Sequence, residues 1–303
     1  VNFNRQPKSV HREMGNSISQ PRNRTGRRVV QEKLEKASKT GVLSLREHRL
    51  DEIPEQVFEI ANLTTLDVAR NNLEQLGPIH KLQKLKSLNC DDNKLPAGSL
   101  STLLPPNNTT SSSKLQNLSA GGNLLGNQPS SDSQSMIPPL SLPSSLKQLT
   151  LSSNHFSFVP PQVCSASLRL LEKLDLSHNQ LASIPSSISN LKNLRELILD
   201  YNLIVSLPSE IGHLSKLKVL SLKYNAIRTT NAVYNESTNP QPLPRPLFED
   251  TPLIDLNLHG NQITFTALTN FEGFDKFLER RQHVKSKDLY GGALTNLDVC
   301  GLE

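Results

Sequence analysis

The sequence predicts an α/β solenoid of about nine repeats: a horseshoe with a parallel sheet on its concave side, an irregular convex side and helical caps. Three observations predict it. The pattern LxxLxLxxNxL recurs or nearly recurs along the chain, and its best-kept copies begin 23 residues apart at Leu171, Leu194 and Leu217. Asn fills the ninth position of most copies, and an apolar residue followed by Pro comes after several of them. A fixed period of this length is the signature of stacked repeats.

Each repeat is predicted to begin with a short strand. In the copy that starts at Leu194, the fourth and sixth residues, Leu197 and Leu199, alternate as the inward-facing residues of a strand do. One copy cannot cover its own leucines. Neighbouring copies are therefore expected to stack into a parallel sheet over one continuous core.

The ninth position predicts a ladder of Asn side chains, the Asn ladder. An amide group has both a donor and an acceptor, so it can satisfy backbone groups where the chain turns after the strand. His48 takes this position in the first copy, and the other eight copies have Asn71, Asn93, Asn123, Asn154, Asn179, Asn202, Asn225 and Asn261. The spacing between these residues varies from 22 to 36, which indicates insertions.

Dipeptides of an apolar residue and Pro follow several of these turns, at Ile53-Pro54, Val159-Pro160, Ile184-Pro185 and Leu207-Pro208. Proline fixes φ and lacks a backbone donor, so it suits the irregular convex return rather than a paired strand. With these motifs, residues 40–265 resemble the leucine-rich-repeat superfamily, specifically its intracellular form with a Leu/Ile-Pro dipeptide.

Four regions are expected. Residues 1–24 form a basic disordered segment, 25–40 a capping helix, 41–270 the repeat domain and 271–303 a C-terminal cap and tail. Insertions are expected near 96–114, 124–145 and 228–252. Within them, residues 105–113, 126–145 and 229–246 are rich in Ser, Pro, Asn, Gly or Thr, so these segments are expected to be disordered and to bulge from the convex side or an edge.

The charge of the chain is uneven. Its net charge is +5, but residues 1–40 contain ten Lys or Arg and three Glu, so the remaining residues sum to −2. A basic tail on a near-neutral body favours an anionic surface as the partner of the tail, and it gives no support for nucleic acid on the concave side. No run of about 18 apolar residues is present, so no membrane span is predicted.

The three cysteines, Cys90, Cys164 and Cys300, are far apart and lack the spacing of a zinc or redox motif. Cys90 falls at the inward sixth position and is interpreted as a small buried apolar residue. A reducing, cytoplasmic compartment is therefore expected. We expect no metal, cofactor or small-molecule substrate.

The first Met of the sequence, Met14, is followed by Gly15-Asn16-Ser17-Ile18-Ser19, which fits the acceptor pattern for myristate on Gly15. One myristoyl chain anchors a protein only marginally, and a basic patch is a recognised second signal. Such a patch follows at Arg22, Arg24, Arg27 and Arg28. A peripheral position on a membrane is thus expected, the alternative being that the motif is internal and accidental.

Three segments narrow the resemblance. Residues 14–17 (MGNS), 39–42 (KTGV) and 271–280 (FEGFDKFLER) are similar to the family of leucine-rich repeat-containing protein 57. That resemblance implies a small intracellular, lipid-anchored repeat protein with no assigned catalytic activity. The long insertions and the tail after residue 284 depart from the family pattern.

Binding residues are expected between the leucines, where side chains project from the concave sheet. Three successive copies place a ring at position eight, and Tyr is favoured at protein interfaces because it combines apolar area with a hydroxyl. The predicted partner patch consists of His178, Ile198, Asp200, Tyr201, Lys223 and Tyr224. The alternative is that these rings merely stack on one another and cover the sheet.

No sequence motif of an enzyme is present: the chain has no phosphate-binding loop, HExxH, GxSxG or paired CxxC. Asp175, Ser177 and His178 lie close in sequence but are interpreted as outward-facing neighbours on an open sheet. The predicted function is a non-catalytic scaffold or adaptor that binds protein on its concave face. The alternative is a soluble regulatory subunit in a small-GTPase or phosphatase pathway, by analogy with related repeats.

Overall fold

A computed structural model describes residues 24–104, 113–126, 140–229, 241–288 and 300–302. In this part of the chain nine strands form one parallel sheet in sequence order. This confirms the predicted solenoid. The strands β1–β9 span Val42–Ser44, Thr65–Asp67, Ser87–Asn89, Asn117–Ser119, Gln148–Thr150, Lys173–Asp175, Glu196–Ile198, Val219–Ser221 and Asp255–Asn257.

The register of the sheet is constant across all nine strands. The central Leu of each strand pairs with the central Leu of the next, from Leu43 opposite Leu66 to Leu220 opposite Leu256. This holds where the Asn positions lie 23 residues apart and also where they lie 36 apart. The insertions are therefore accommodated outside the sheet. Since a slip of one residue would turn every Leu to the solvent, the continuous core fixes this register.

The central Leu of each strand is buried, and it packs with apolar residues of the turns in one cluster that runs the length of the molecule. Burial of one such side chain contributes about 1.5–3 kcal/mol. Because each repeat contacts mainly its neighbours, this stabilisation is distributed along the array.

Single 3₁₀ turns form much of the convex side. Pro54, Pro160, Pro185 and Pro208 each precede one of them, and the apolar residue before each Pro is buried. Because the repeats are short, the convex side has room for only about one helical turn between one strand and the next. The 3₁₀ segments are Glu55–Glu59, Ile79–Lys81, Ser99–Leu103, Pro161–Cys164, Ala166–Leu168, Ser186–Asn190 and Ser209–His213.

Asn side chains satisfy backbone groups between the repeats. Asn179 Nδ2 donates to the carbonyls of Leu151 (3.1 Å) and Leu176 (3.0 Å), and its Oδ1 accepts from the backbone N–H groups of Asn154 and Phe156. Each Asn thus ties one repeat to the preceding one. His48 takes over part of this role in the first repeat, where its Nδ1 lies 2.6 Å from the carbonyl oxygen of Arg46.

Helices cover both ends of the described core. Helix α1, Arg24–Thr40, buries Leu34 and Ala37 against the first repeat. Its chain reverses at Gly41, which has a φ of +72° that suits glycine. At the other end lie α2 (Arg245–Glu249), α3 (Phe265–Leu268) and α4 (Phe274–Asp288).

The C-terminal cap has an aromatic core. The rings of Phe274 and Phe277 lie 5.4 Å apart, and Phe248 packs against both. Phe271 is also buried. After the cap, the carbonyl of Cys300 accepts from the backbone N–H of Leu258, so residues 300–302 cover part of the edge at β9.

The insertions contribute to the core at residues that flank the segments expected to be disordered, and at Leu140, Leu142 and Leu243 inside those segments. Leu100 and Leu103 in the first of them, and Leu243, Leu247 and Phe248 in the third, belong to the core. These few apolar residues pack because the neighbouring repeats leave apolar surface for them to cover. The stretches 105–112, 127–139 and 230–240 lie outside the described residues.

Two of the cysteines are buried thiols within the array. Burial raises the pKa of the Cys164 thiol to about 11 and raises that of Cys90 further. Both are protonated at neutral pH, which agrees with the apolar role expected for Cys90.

Candidate functional site

Position eight of every repeat has a left-handed backbone. The seven residues other than Gly have φ between 50° and 60°, and Gly122 and Gly260 have φ of 62° and 76°. The chain turns away from the sheet at this residue, and the Asn that follows points inward. For most residues this conformation costs about 1–2 kcal/mol, and it is least costly for Gly, Asn and Asp.

At repeats six to eight this position supports a stack of exposed rings. The rings of His178 and Tyr201 have centroids 4.2 Å apart and planes at 12°, and those of Tyr201 and Tyr224 have centroids 4.5 Å apart and planes at 17°. Tyr201 and Tyr224 are 44% and 43% exposed. The strand spacing of roughly 4.8 Å sets this distance between the rings.

A fourth ring, His259, completes the group and was not predicted from the sequence. It meets Tyr224 edge-on, with centroids 5.2 Å apart, and its Nε2 lies 3.1 Å from the Tyr224 hydroxyl. Its Nδ1 lies 3.2 Å from the Gly301 carbonyl oxygen. We call His178, Tyr201, Tyr224 and His259 the ring stack. His259 occupies position seven of its repeat, so a search of position eight alone passes over it.

Glycine at position eight of the ninth repeat gives the stack its space. A Cβ at residue 260 would lie 2.4 Å from Cδ1 of Tyr224, so the ring of one repeat lies over the backbone of the next. Gly122 likewise leaves space for the side chain of Asp92, because a Cβ at residue 122 would lie 2.4 Å from Asp92 Oδ1. Space therefore requires Gly at residue 260, whereas seven other repeats have larger residues in the same left-handed conformation.

In the first three repeats, position eight holds charged residues, namely Glu47, Arg70 and Asp92. Arg70 Nη1 lies 2.8 Å from Glu47 Oε1, and Arg70 Nε lies 3.5 Å from Asp92 Oδ2. The hydrogen bond and the charge of Arg70 lower the pKa of Glu47. All three side chains are exposed, and exposed ion pairs contribute little to stability, so this group mainly defines the charge of the surface.

The remaining predicted binding residues lie beside the stack and are half-buried. Ile198 is in β7, and Asp200 and Lys223 occupy position seven of adjacent repeats. Asp200 Oδ1 accepts from the backbone N–H of Lys223 at 2.8 Å. Asp200 is thus partly a structural residue that links two repeats.

The rim beside the stack is apolar, a feature that the sequence analysis missed. Leu203 and Val205 are 57% and 52% exposed, while Asn202 and Ile204 between them are buried. The signal in the sequence is the apolar run Leu203-Ile204-Val205, of which the repeat pattern uses only Ile204. Tyr201, Leu203 and Val205 thus place three exposed apolar side chains within five residues of repeat seven, and we call Leu203 and Val205 the apolar strip.

The Asp175, Ser177 and His178 group does not form a catalytic arrangement. Ser177 is buried, and its N–H and hydroxyl both donate to Asp175 Oδ1. The ring of His178 stacks on Tyr201 instead.

The predicted N-terminal site lies partly outside the described residues. Gly15 and Arg22 lie outside the described residues, and Arg24 and Arg27 lie in α1 with side chains that are not described. Arg28 is exposed and pairs with Glu32 at 3.1 Å. Among the described residues, no helix combines the length and apolar composition needed to cross a bilayer.

Comparisons with known proteins agree with this geometry. A protein-family profile described as leucine rich repeat matches residues 144–204, which include β5 to β7. The fold is that of the leucine-rich repeat superfamily. Internalin C2 of Listeria monocytogenes superposes with a TM-score of 0.53 at 24% identity, covering 80% of this chain and 89% of that one.

Two further similarities are weaker. A leucine-rich repeat protein of Leptospira interrogans has a TM-score of 0.48 at 26% identity, covering 76% of this chain and 70% of that one. Podocan-like protein 1 of Mus musculus is 31% identical over 154 residues, which is 42% of this chain. The match spans 25% of that relative's length.

Proposed function

We propose that this leucine-rich repeat chain is a non-catalytic scaffold that binds another protein through its concave face, with the ring stack and the adjoining strip of Leu203 and Val205 as the centre of the interface. Leucine-rich repeat proteins are generally binding scaffolds, and the fold supports that class of function. The exposed ring stack supports placing the interface on this part of the concave surface.

The observation that carries the proposal is the placement of Tyr at position eight. A bulky residue in the left-handed region is an outlier, and the fold accepts Gly, Ser or Asp at the same position in other repeats. Strained and exposed aromatic residues are thus retained where smaller residues would cost less. Such strain is concentrated at functional sites.

The stacking alternative explains part of this arrangement, because the rings do cover one another. However, the rings remain more than two-fifths exposed and continue into an apolar rim, and contiguous exposed apolar surface is typical of protein interfaces. Both roles are compatible: stacking fixes the ring positions, which reduces the entropy lost on binding.

The test replaces Tyr201 and Tyr224 with Asn, which tolerates positive φ and so preserves the backbone. Proteins captured from a lysate by the full chain and by the double variant are compared by quantitative mass spectrometry. Loss of a single hot-spot tyrosine costs about 2 kcal/mol or more, so the affinity of the double variant for the partner should fall at least about 30-fold.

The matched control is Leu170→Asn, which removes an exposed apolar residue that precedes β6 rather than following it. It should leave capture unchanged. Equal capture by the wild-type chain and the Tyr201→Asn/Tyr224→Asn variant would remove the ring stack from the interface.

We also propose that the scaffold is tethered to the cytosolic face of a membrane through myristate on Gly15, assisted by Arg22, Arg24, Arg27 and Arg28. The acceptor motif and the basic residues behind it support this, as does the similarity of residues 14–17, 39–42 and 271–280 to lipid-anchored repeat proteins.

A further inference from the structure

The charges around the ring stack indicate which partner fits it. In a strand whose fourth and sixth residues point inward, the third, fifth and seventh point to the concave solvent, together with position eight. Over the nine repeats, these positions hold twice as many acidic as basic residues. The acids are Glu47, Asp67, Asp91, Asp92, Asp175, Glu196, Asp200 and Asp255, and the bases are Arg46, Arg70, Lys173 and Lys223.

Most of the bases are already neutralised on this face. Arg46 and Arg70 lie 3.6 Å and 2.8 Å from Glu47, and Lys173 Nζ lies 2.7 Å from Glu196 Oε1. Five aspartates have no ion pair among the described residues: Asp67, Asp91, Asp175, Asp200 and Asp255. The concave face therefore has a net charge opposite to that of the whole chain, which is +5.

Two of these carboxylates lie beside the ring stack and are held by neutral donors. Asp175 Oδ1 accepts from the N–H and hydroxyl of Ser177, and Asp200 Oδ1 accepts from the N–H of Lys223. Neutral donors fix the position of a carboxylate without cancelling its charge. A cationic partner would therefore meet preorganised acceptors.

The negative charge of Asp200 acts on the side chain of Tyr201. The pKa of the Tyr201 hydroxyl is raised by desolvation first, and then by Tyr224 and the negative charge of Asp200. The stack also determines how a partner can make contact. Because the rings cover each other's faces, a partner meets their edges and hydroxyls, together with Leu203 and Val205.

We propose that the partner docks an extended basic segment on this surface, in which apolar side chains pack against the ring edges and the strip of Leu203 and Val205, and Lys or Arg side chains pair with Asp175 and Asp200. The inference rests on the proposed protein-binding function and specifies the chemistry of the partner. An open sheet surface suits an extended segment, and an acidic surface excludes an acidic one by repulsion.

The test begins with random 12-residue peptides displayed on phage and selected on the immobilised full chain. Selected peptides are then synthesised, and their affinity is measured by fluorescence anisotropy. They should have a net positive charge and apolar residues, and their affinity should fall as salt rises. The Tyr201→Asn/Tyr224→Asn variant should weaken binding at least ten-fold.

The deciding variant is Asp175→Asn/Asp200→Asn, in which Asn retains an oxygen acceptor for the same hydrogen bonds but removes two charges. It should also weaken the selected peptides at least ten-fold. Its control is Glu55→Gln/Glu59→Gln, which removes two exposed charges from the convex side and should change nothing. Circular dichroism and thermal unfolding establish that all variants are folded.

The possible results separate the inference from the proposed function. Neutral or acidic peptides that need Tyr201 and Tyr224 would overturn the basic partner and leave the interface intact, as would unchanged affinity in the Asp175→Asn/Asp200→Asn variant. If no selected peptide depends on the two tyrosines, both the interface and its partner chemistry are refuted.

Discussion

At the scale of single residues, position eight holds three of the proposed binding residues, His178, Tyr201 and Tyr224. The same backbone conformation occurs with an ion-paired Arg in one repeat and with a Tyr in another, so the fold fixes the backbone here but not the type of side chain. The neighbour in the next repeat limits the side chain at two of these positions, because Asp92 lies over Gly122 and Tyr224 lies over Gly260. Gly122 and Gly260 are the positions where this limit is strictest.

Gly260→Ala tests this limit. The new Cβ would lie 2.4 Å from a rigid ring and adopt a φ of +76°, so Tyr224 must leave the stack and stability should fall by about 1–2 kcal/mol. The aromatic NMR signals of Tyr224 and Tyr201 should lose their stacking shifts.

Gly122→Ala is the matched comparison. It has a similar φ, but its Cβ meets the end of the flexible Asp92 side chain, which can rotate away. Its stability loss should come mainly from the backbone, and the tyrosine signals should stay in place. Unshifted tyrosine signals in Gly260→Ala would contradict the proposed packing.

At the scale of the repeat, the Asn ladder supplies a polar counterpart to the Leu core. Asn202 Nδ2 donates to the carbonyls of Leu176 and Leu199, and its Oδ1 accepts from the N–H of Leu181. These groups are buried where no strand partner is available. Each repeat therefore depends on an amide from the next one.

We expect Asn202→Ala to leave these buried groups without partners and to lower the free energy of unfolding by about 2–4 kcal/mol. Urea denaturation followed by circular dichroism measures the loss. Asn72→Ala is the control, because Asn72 follows a ladder residue and is only half-buried. Its effect should stay within about 0.5 kcal/mol. Equal losses in the two variants would show that the Asn ladder has no special role.

At the scale of the whole molecule, charge is separated along the chain. Residues 1–40 are strongly basic, while the concave face of the repeats is acidic. Such a separation suits a protein whose N-terminus lies on an anionic surface while its repeats bind a basic partner. Electrostatic attraction of this kind adds specificity and speed of association more than affinity.

The tether is tested with Gly15→Ala in the full chain expressed in cells. Loss of the acyl chain should move the protein from the membrane to the soluble fraction, measured by fractionation and by labelling with an alkyne analogue of myristate. Arg27→Gln/Arg28→Gln should weaken membrane binding by roughly 30-fold, since each basic group near the surface contributes about 1 kcal/mol.

Lys192→Gln/Lys218→Gln removes two exposed charges from the repeats and serves as the control. A native protein with unacylated Gly15, or a distribution that Gly15→Ala leaves unaltered, would favour the alternative of a soluble regulatory subunit.

The sequence by itself determined the solenoid, the inward leucines and the Asn ladder, because these follow from a period that is visible within any two repeats. It also indicated His178, Tyr201 and Tyr224 as a column. Only the tertiary structure decided that their rings stack, that His259 joins them, and that Leu247 and Phe248 return from an insertion to the core. Those features depend on contacts between residues far apart in sequence, and in the insertions the repeat period does not specify such contacts.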